Sequence, residues 1–164
     1  MNKHFVFCFL ALFIWQNSYG SNSILVVIGD DIITTNQLDL FVRSNSSKKE
    51  KMEVIDLLIS ENIINKFIKK LKIQPKDEII EAELKKVAEL NAISLNELIT
   101  NPNFEKISND IIYNLSKNAL IEIIYSEELK NQKIELNSSK TSIFDKWLDK
   151  IKSQTFIDIY EKKL

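Results

Sequence analysis

Apolar and polar positions follow three rhythms along this chain, and each predicts a different kind of element. The first is an unbroken apolar run of 11 residues, Phe5 to Trp15, followed by the small and polar QNSYG. The second is a run, a turn and a run: Ile24 to Ile28, then Gly29-Asp30, then Ile32 and Ile33. That signature predicts a short β-hairpin, and two strands alone are marginal, so they must lie on helices. The third rhythm is helical and fills most of the chain beyond Ile33.

Thr34-x-x-Gln37 reads as a capping box opening a short helix, with Leu38, Phe41 and Val42 on one face. After the polar RSNSSKKE, Met52, Ile55, Ile59, Ile63 and Phe67 recur every three or four residues. Leu58, Ile64, Ile68 and Leu71 widen that stripe, which predicts a central helix touched from more than one side. Pro75 stops it. KDEIIEAELKKVAELNA then predicts a helix with acids in its first turn that buries Ile80, Leu84, Val87 and Ala88. Ser94-x-x-Glu97 is a second capping box for a short helix, broken by Asn101, Pro102 and Asn103. A long helix comes next, aligning Ile107, Ile111, Leu115 and Ala119, with Ile112, Leu120, Ile123 and Ile124 beside them.

A connector over 132–141 leads to a terminal helix over 142–164, begun by Ser142-x-x-Asp145. At about 100° per residue, Phe144, Trp147, Leu148, Ile151 and Thr155 form one narrow stripe, while Phe156, Ile157 and Tyr160 point elsewhere. Such an apolar ending must dock. Trp147, Leu148 and Ile151 are its expected anchors, and its last turns either cover the hairpin or present a surface to a partner. The expected fold class is all-α, mainly helical with a short N-terminal β-hairpin.

Composition sharpens this picture. Lys3, the apolar run and QNSYG have the order of a signal peptide over 1–20, and the run is too short to span a bilayer as a permanent helix. The exported chain, 21–164, would lose Cys8 and His4 with that leader, and so hold neither thiol nor imidazole. It would keep 21 basic residues against 23 acidic, a near balance with no concentrated basic face for nucleic acid. Gly29 would be its only glycine, with Pro75 and Pro102 its only prolines, too few for a turn-rich β architecture.

These absences remove most chemistries. Ser-His-Asp and Cys-His catalysis and the usual zinc sites need residues the exported chain lacks. One glycine cannot build a phosphate-cradling loop, so no nucleotide site is expected, and no EF-hand calcium pattern occurs. Asp30-Asp31 fits a hairpin tip, and Glu127-Glu128 lies among solvated residues near a helix end. No enzymatic activity, cofactor or metal is expected.

Several stretches together resemble the N-terminal domain of the SurA-like periplasmic chaperones: VVIGDDIITTNQLD, VIDLLISENIINKFIKKLKI, DEIIEAELKKVAELNAISLNEL and NDIIYNLSKNALIEIIYSEEL. The tail WLDKIKSQTFIDIY is similar to that family's closing helix, with Trp147, Phe156, Ile157 and Ile159 at matching positions. The resemblance implies a SurA N-terminal or trigger-factor peptide-binding-domain-like fold over 21–131, with the tail packed back into it. The parvulin isomerase domains that the family carries before its tail have no room between Asn131 and Ser142, so the resemblance carries over the chaperone core alone.

The resemblance implies an ATP-independent periplasmic holdase for unfolded outer-membrane or periplasmic clients, with no nucleotide, no nucleic acid and no permanent membrane span. Phe104, Tyr113, Phe156, Ile157 and Tyr160 are its candidate peptide-binding residues. The alternative is a non-catalytic envelope scaffold that pairs with another periplasmic protein, such as an isomerase in trans.

Overall fold

The computed structural model describes residues 22–131 and 139–163, so the expected signal peptide and most of the expected connector lie outside the described residues. The chain builds a mainly helical protein with one small antiparallel sheet. β1 (Ile24–Ile28) and β2 (Asp31–Thr34) form the expected hairpin, and Gly29 supplies the φ of +57° that its two-residue turn demands. A bulge between Ile24 and Val26 lets both Leu25 and Val26 bury fully.

α1 (Thr35–Asp39) opens with both halves of the Thr34/Gln37 capping box and buries Leu38. It ends too early to carry Phe41, which the sequence places on its inner face. Phe41 instead stands in the turn after it, 64 % exposed.

α2 (Lys48–Lys70) is the central helix, capped by Ser47 and Glu50. Its Ile55, Ile59 and Ile63 bury against Val26, Ile28, Ile33 and the flanking strands. Ile64 faces the other way and packs with Leu120, Ile124 and Phe144. The broad stripe is therefore broad because it serves two cores.

α3 (Asp77–Leu90) and α4 (Leu95–Ile99) make a third cluster of Leu84, Ala88 and Leu98 against the first turns of α5 (Phe104–Lys130), at Phe104, Ile107 and Ile111. α5 thus joins two bodies of packing: α3 and α4 at one end, α2 and the terminal segment at the other. Both α2 and α3 end with a non-glycine residue in the left-handed region, Lys72 at φ 51° and Ala92 at φ 54°. Each makes the paired bonds of a Schellman motif. Ile73 and Lys72 N–H donate to Ile68 and Lys69 carbonyls, and Ile93 and Ala92 N–H donate to Ala88 and Glu89 carbonyls.

The terminal segment departs from expectation at both ends. α6 (Lys140–Gln154) starts two residues before Ser142, because Ser139 takes the cap and its Oγ accepts from the Ser142 N–H at 3.2 Å. It stops at Gln154, and Ile157–Ile159 leave the helix to form β3, antiparallel to β1 in a sheet of order β2-β1-β3. The helix expected over 142–164 and the two-stranded hairpin are both corrected by this one pairing. The physical cause is a strand edge. A hairpin leaves one side of β1 with unpaired backbone groups, and the alternating FIDIY can satisfy them as a third strand where a helix end could not. Gly29 N–H donates to Phe156 O and Tyr160 N–H to Leu25 O, both at 2.9 Å. A single turn of 3-10 helix, Glu161–Lys163, ends the described chain.

Leu148 and Ile151 pack into the sheet cluster, and Trp147 into the α2/α5 cluster beside buried Phe144. Three ion pairs border the same contact: Lys140 with Glu122 at 2.5 Å, Lys152 with Asp56 at 2.8 Å, and Lys48 with Glu161 at 2.6 Å. Except for the mostly covered Lys152, the paired side chains are exposed, so packing and the β1–β3 ladder, more than these charges, hold the tail. Among the described residues, no helix is long and apolar enough to cross a membrane.

Candidate functional site

Two neighbouring surfaces concentrate the features that could hold a ligand, and both depend on β3. The first is the outer face of the sheet. Strand alternation turns Val26, Ile33, Ile157 and Ile159 inward onto α2, and leaves Val27, Ile32 and Asp158 in register on the opposite side. Extended one residue beyond each end of β3, the same alternation puts Phe156 and Tyr160 on that outer side. Phe156 is 67 % exposed, Ile32 47 % and Tyr160 42 %. A small sheet thus presents aromatic and aliphatic side chains to solvent around one carboxylate, Asp158.

The second surface is a cleft of about 260 Å³ between the end of β1, α2 and the last turn of α6. Ile28, Ile63, Phe67 and Ile151 form its apolar floor, and Asn62, Lys66, Lys70, Gln154 and Thr155 its polar rim. A shallower hollow of about 330 Å³ adjoins it, lined by Asp30, Asp31, Asn62, Asn65, Lys66 and Lys69. Asn62 and Lys66 belong to both. Lys66 Nζ stands 3.9 Å from Asp31 Oδ2, and Lys70 lies over the Phe67 ring at 5.6 Å from its centroid. Asn62 Oδ1 is buried and accepts no hydrogen bond from any described residue.

The residues that the sequence singles out are only partly brought together. Phe156, Ile157 and Tyr160 share the β3 segment, but Ile157 faces inward and packs against the sheet core while the other two face out. Phe104 belongs to the separate α3/α4 cluster. Tyr113 packs against the α2/α5/α6 cluster, where its hydroxyl is buried without a described partner. Burial, and then the nearby Glu61 carboxylate, push that hydroxyl's pKa up. A single groove joining Phe104, Tyr113 and β3 is therefore not formed. Ile32 and the Asn62–Lys70 rim were missed by sequence reasoning. Ile32 sits in the hairpin run with no mark of which face it takes, and Asn62 sits inside an apolar stripe. The only available signal was the KFIKK repeat of lysines beside Phe67.

The arrangement offers apolar contact and single-charge pairing, with no cluster for metal ligation among the described residues. Neither a scan against protein-family models nor a search of curated proteins finds a match for this chain.

Proposed function

We propose that this chain is an ATP-independent holdase of the SurA-like kind, acting in the periplasm on unfolded outer-membrane or periplasmic proteins through the outer face of its small sheet. The observation that carries this reading is the exposed apolar side of the sheet, where Phe156, Ile32 and Tyr160 stand in solvent on a backbone fixed by the β1–β3 ladder. A folded protein that leaves such residues together on one rigid face has a surface suited to transient apolar contact. The packing of α6 against α2 and α5 supports the reading as well, since the resemblance implies a closing helix packed back into the domain. Here, however, that helix ends at Gln154 and the residues after it extend as β3. Weak apolar binding needs no nucleotide; mass action on the unfolded client suffices.

The test is light scattering from an unfolded β-barrel precursor diluted out of denaturant, with and without equimolar protein. The protein delays aggregation, and the double variant Ile32→Ser/Phe156→Ser loses most of that delay while keeping its circular-dichroism melt. Aggregation unaffected by the unmodified protein contradicts the proposal.

A further inference from the structure

We propose that the cleft beside the sheet is a subsite for one apolar or aromatic client side chain whose neighbour in sequence is acidic. The inference rests on the holdase reading and gives it a preference that the outer face alone does not.

Size limits the occupant first. At about 260 Å³ the cleft lies below the ~300–1,000 Å³ of pockets that enclose a whole small molecule. It fits a single large side chain on the floor of Ile28, Ile63, Phe67 and Ile151. Charge limits it next. Lys66, Lys69 and Lys70 line the cleft and its adjoining hollow against Asp30 and Asp31, a surplus of one positive charge. Lys69 and Lys70 have no carboxylate partner among the described residues, and Lys66 reaches Asp31 only at 3.9 Å. One carboxylate suits this rim. A phosphate-rich polyanion would meet the two aspartates.

Continuity with the exposed sheet face favours a peptide over a fatty acid as the occupant. Thr155 on the cleft rim directly precedes Phe156, which stands 67 % exposed. One extended chain can therefore lie along the sheet face and place a side chain on the cleft floor, with its carboxylate neighbour at the lysine rim.

Fluorescence anisotropy with the purified chain tests this. The probes are three labelled Ser/Gly-rich peptides, each with one Phe flanked by Asp, by Asn or by Lys. The Asp peptide binds roughly fivefold tighter than the Lys peptide at low salt, the scale of a partly exposed ion pair. That ratio collapses towards one at high salt and in Lys66→Gln/Lys70→Gln, both exposed positions whose change leaves the fold intact. Equal binding of all three peptides, with aggregation still delayed, overturns the subsite and leaves the holdase reading standing. Absence of both peptide binding and aggregation delay overturns the two together. Displacement of the Asp peptide by micromolar dodecanoate, with the Lys66→Gln/Lys70→Gln variant resisting it, overturns the peptide in favour of a lipid acid.

Discussion

The indole of Trp147 meets the ring of Phe67 edge-on, centroids 4.8 Å apart and planes at 79°, while Phe144 stacks beside it at 5.2 Å. One aromatic from the end of the chain is thus set against one from the central helix, and this contact joins the tail to the core. Trp147 keeps part of its surface in solvent, so Trp147→Ala should cost about 3 kcal/mol, the low end for a large aromatic deletion. Urea unfolding measures it. A loss under about 1 kcal/mol would mean that the tail is not held by this residue.

β3 makes a sharper prediction. The bonds from Gly29 N–H to Phe156 O and from Tyr160 N–H to Leu25 O set the ladder so that Asp158 is a hydrogen-bonded pair with Val27. Asp158→Pro removes a ladder donor and should destabilise by about 2–3 kcal/mol, whereas Asp158→Ala, on the exposed face, should stay within about 0.5 kcal/mol. Equal melts for the two variants would contradict the strand.

Two helix ends carry avoidable strain. Lys72 and Ala92 occupy left-handed conformations that cost a residue with a Cβ about 1–2 kcal/mol. Lys72→Gly and Ala92→Gly should each stabilise by about 1 kcal/mol net of the extra freedom glycine gives the unfolded chain. Thermal denaturation of the single variants measures this, and destabilisation by both would contradict the two Schellman ends.

Acid should weaken the fold through three carboxylates, one each in α3, α4 and the terminal turn. The hydrogen bond and charge of Lys48 hold Glu161 below its ordinary 4.5, as Lys85 does for Glu81, and the Ser94 backbone and hydroxyl do for Glu97. A carboxyl depressed in the folded state stabilises above its unfolded value. That contribution is lost as the pH falls from about 4.5 through the lower folded values. Stability should therefore be flat in these groups near neutrality and decline only in acid. Carboxyl NMR titration checks the assignment: Lys48→Gln should return Glu161 to its ordinary range and leave Glu97 depressed.

The helices were legible in the sequence because each carries its own period and most carry their own caps. Thr34/Gln37 and Ser94/Glu97 show both halves of the box, and the Ile55–Ile63 stripe points at its core. The end of the chain was not legible, for a reason of range. Phe144 to Thr155 sustain a helical stripe that runs without a break into FIDIY, and only the open side of β1, more than a hundred residues earlier, decides that those five residues extend. The start of α6 was ambiguous because Ser139 and Ser142 are equally good caps. Nor did glycine mark where α2 and α3 stop, since Lys72 and Ala92 occupy the positions it usually fills. The candidate site suffered most, because a sheet face exists only once β3 is in place.

The central claim, that unfolded clients are gripped on the outer face of the sheet, is tested most directly by photo-crosslinking. A benzophenone amino acid is placed at Phe156, and in a control at Leu90, which is 85 % exposed on α3 at the far end of α5's packing. With an unfolded β-barrel precursor present, the account predicts adducts from position 156 that vanish when the client is prefolded, and few from position 90. Equal adducts from both positions, or none from 156, would contradict it.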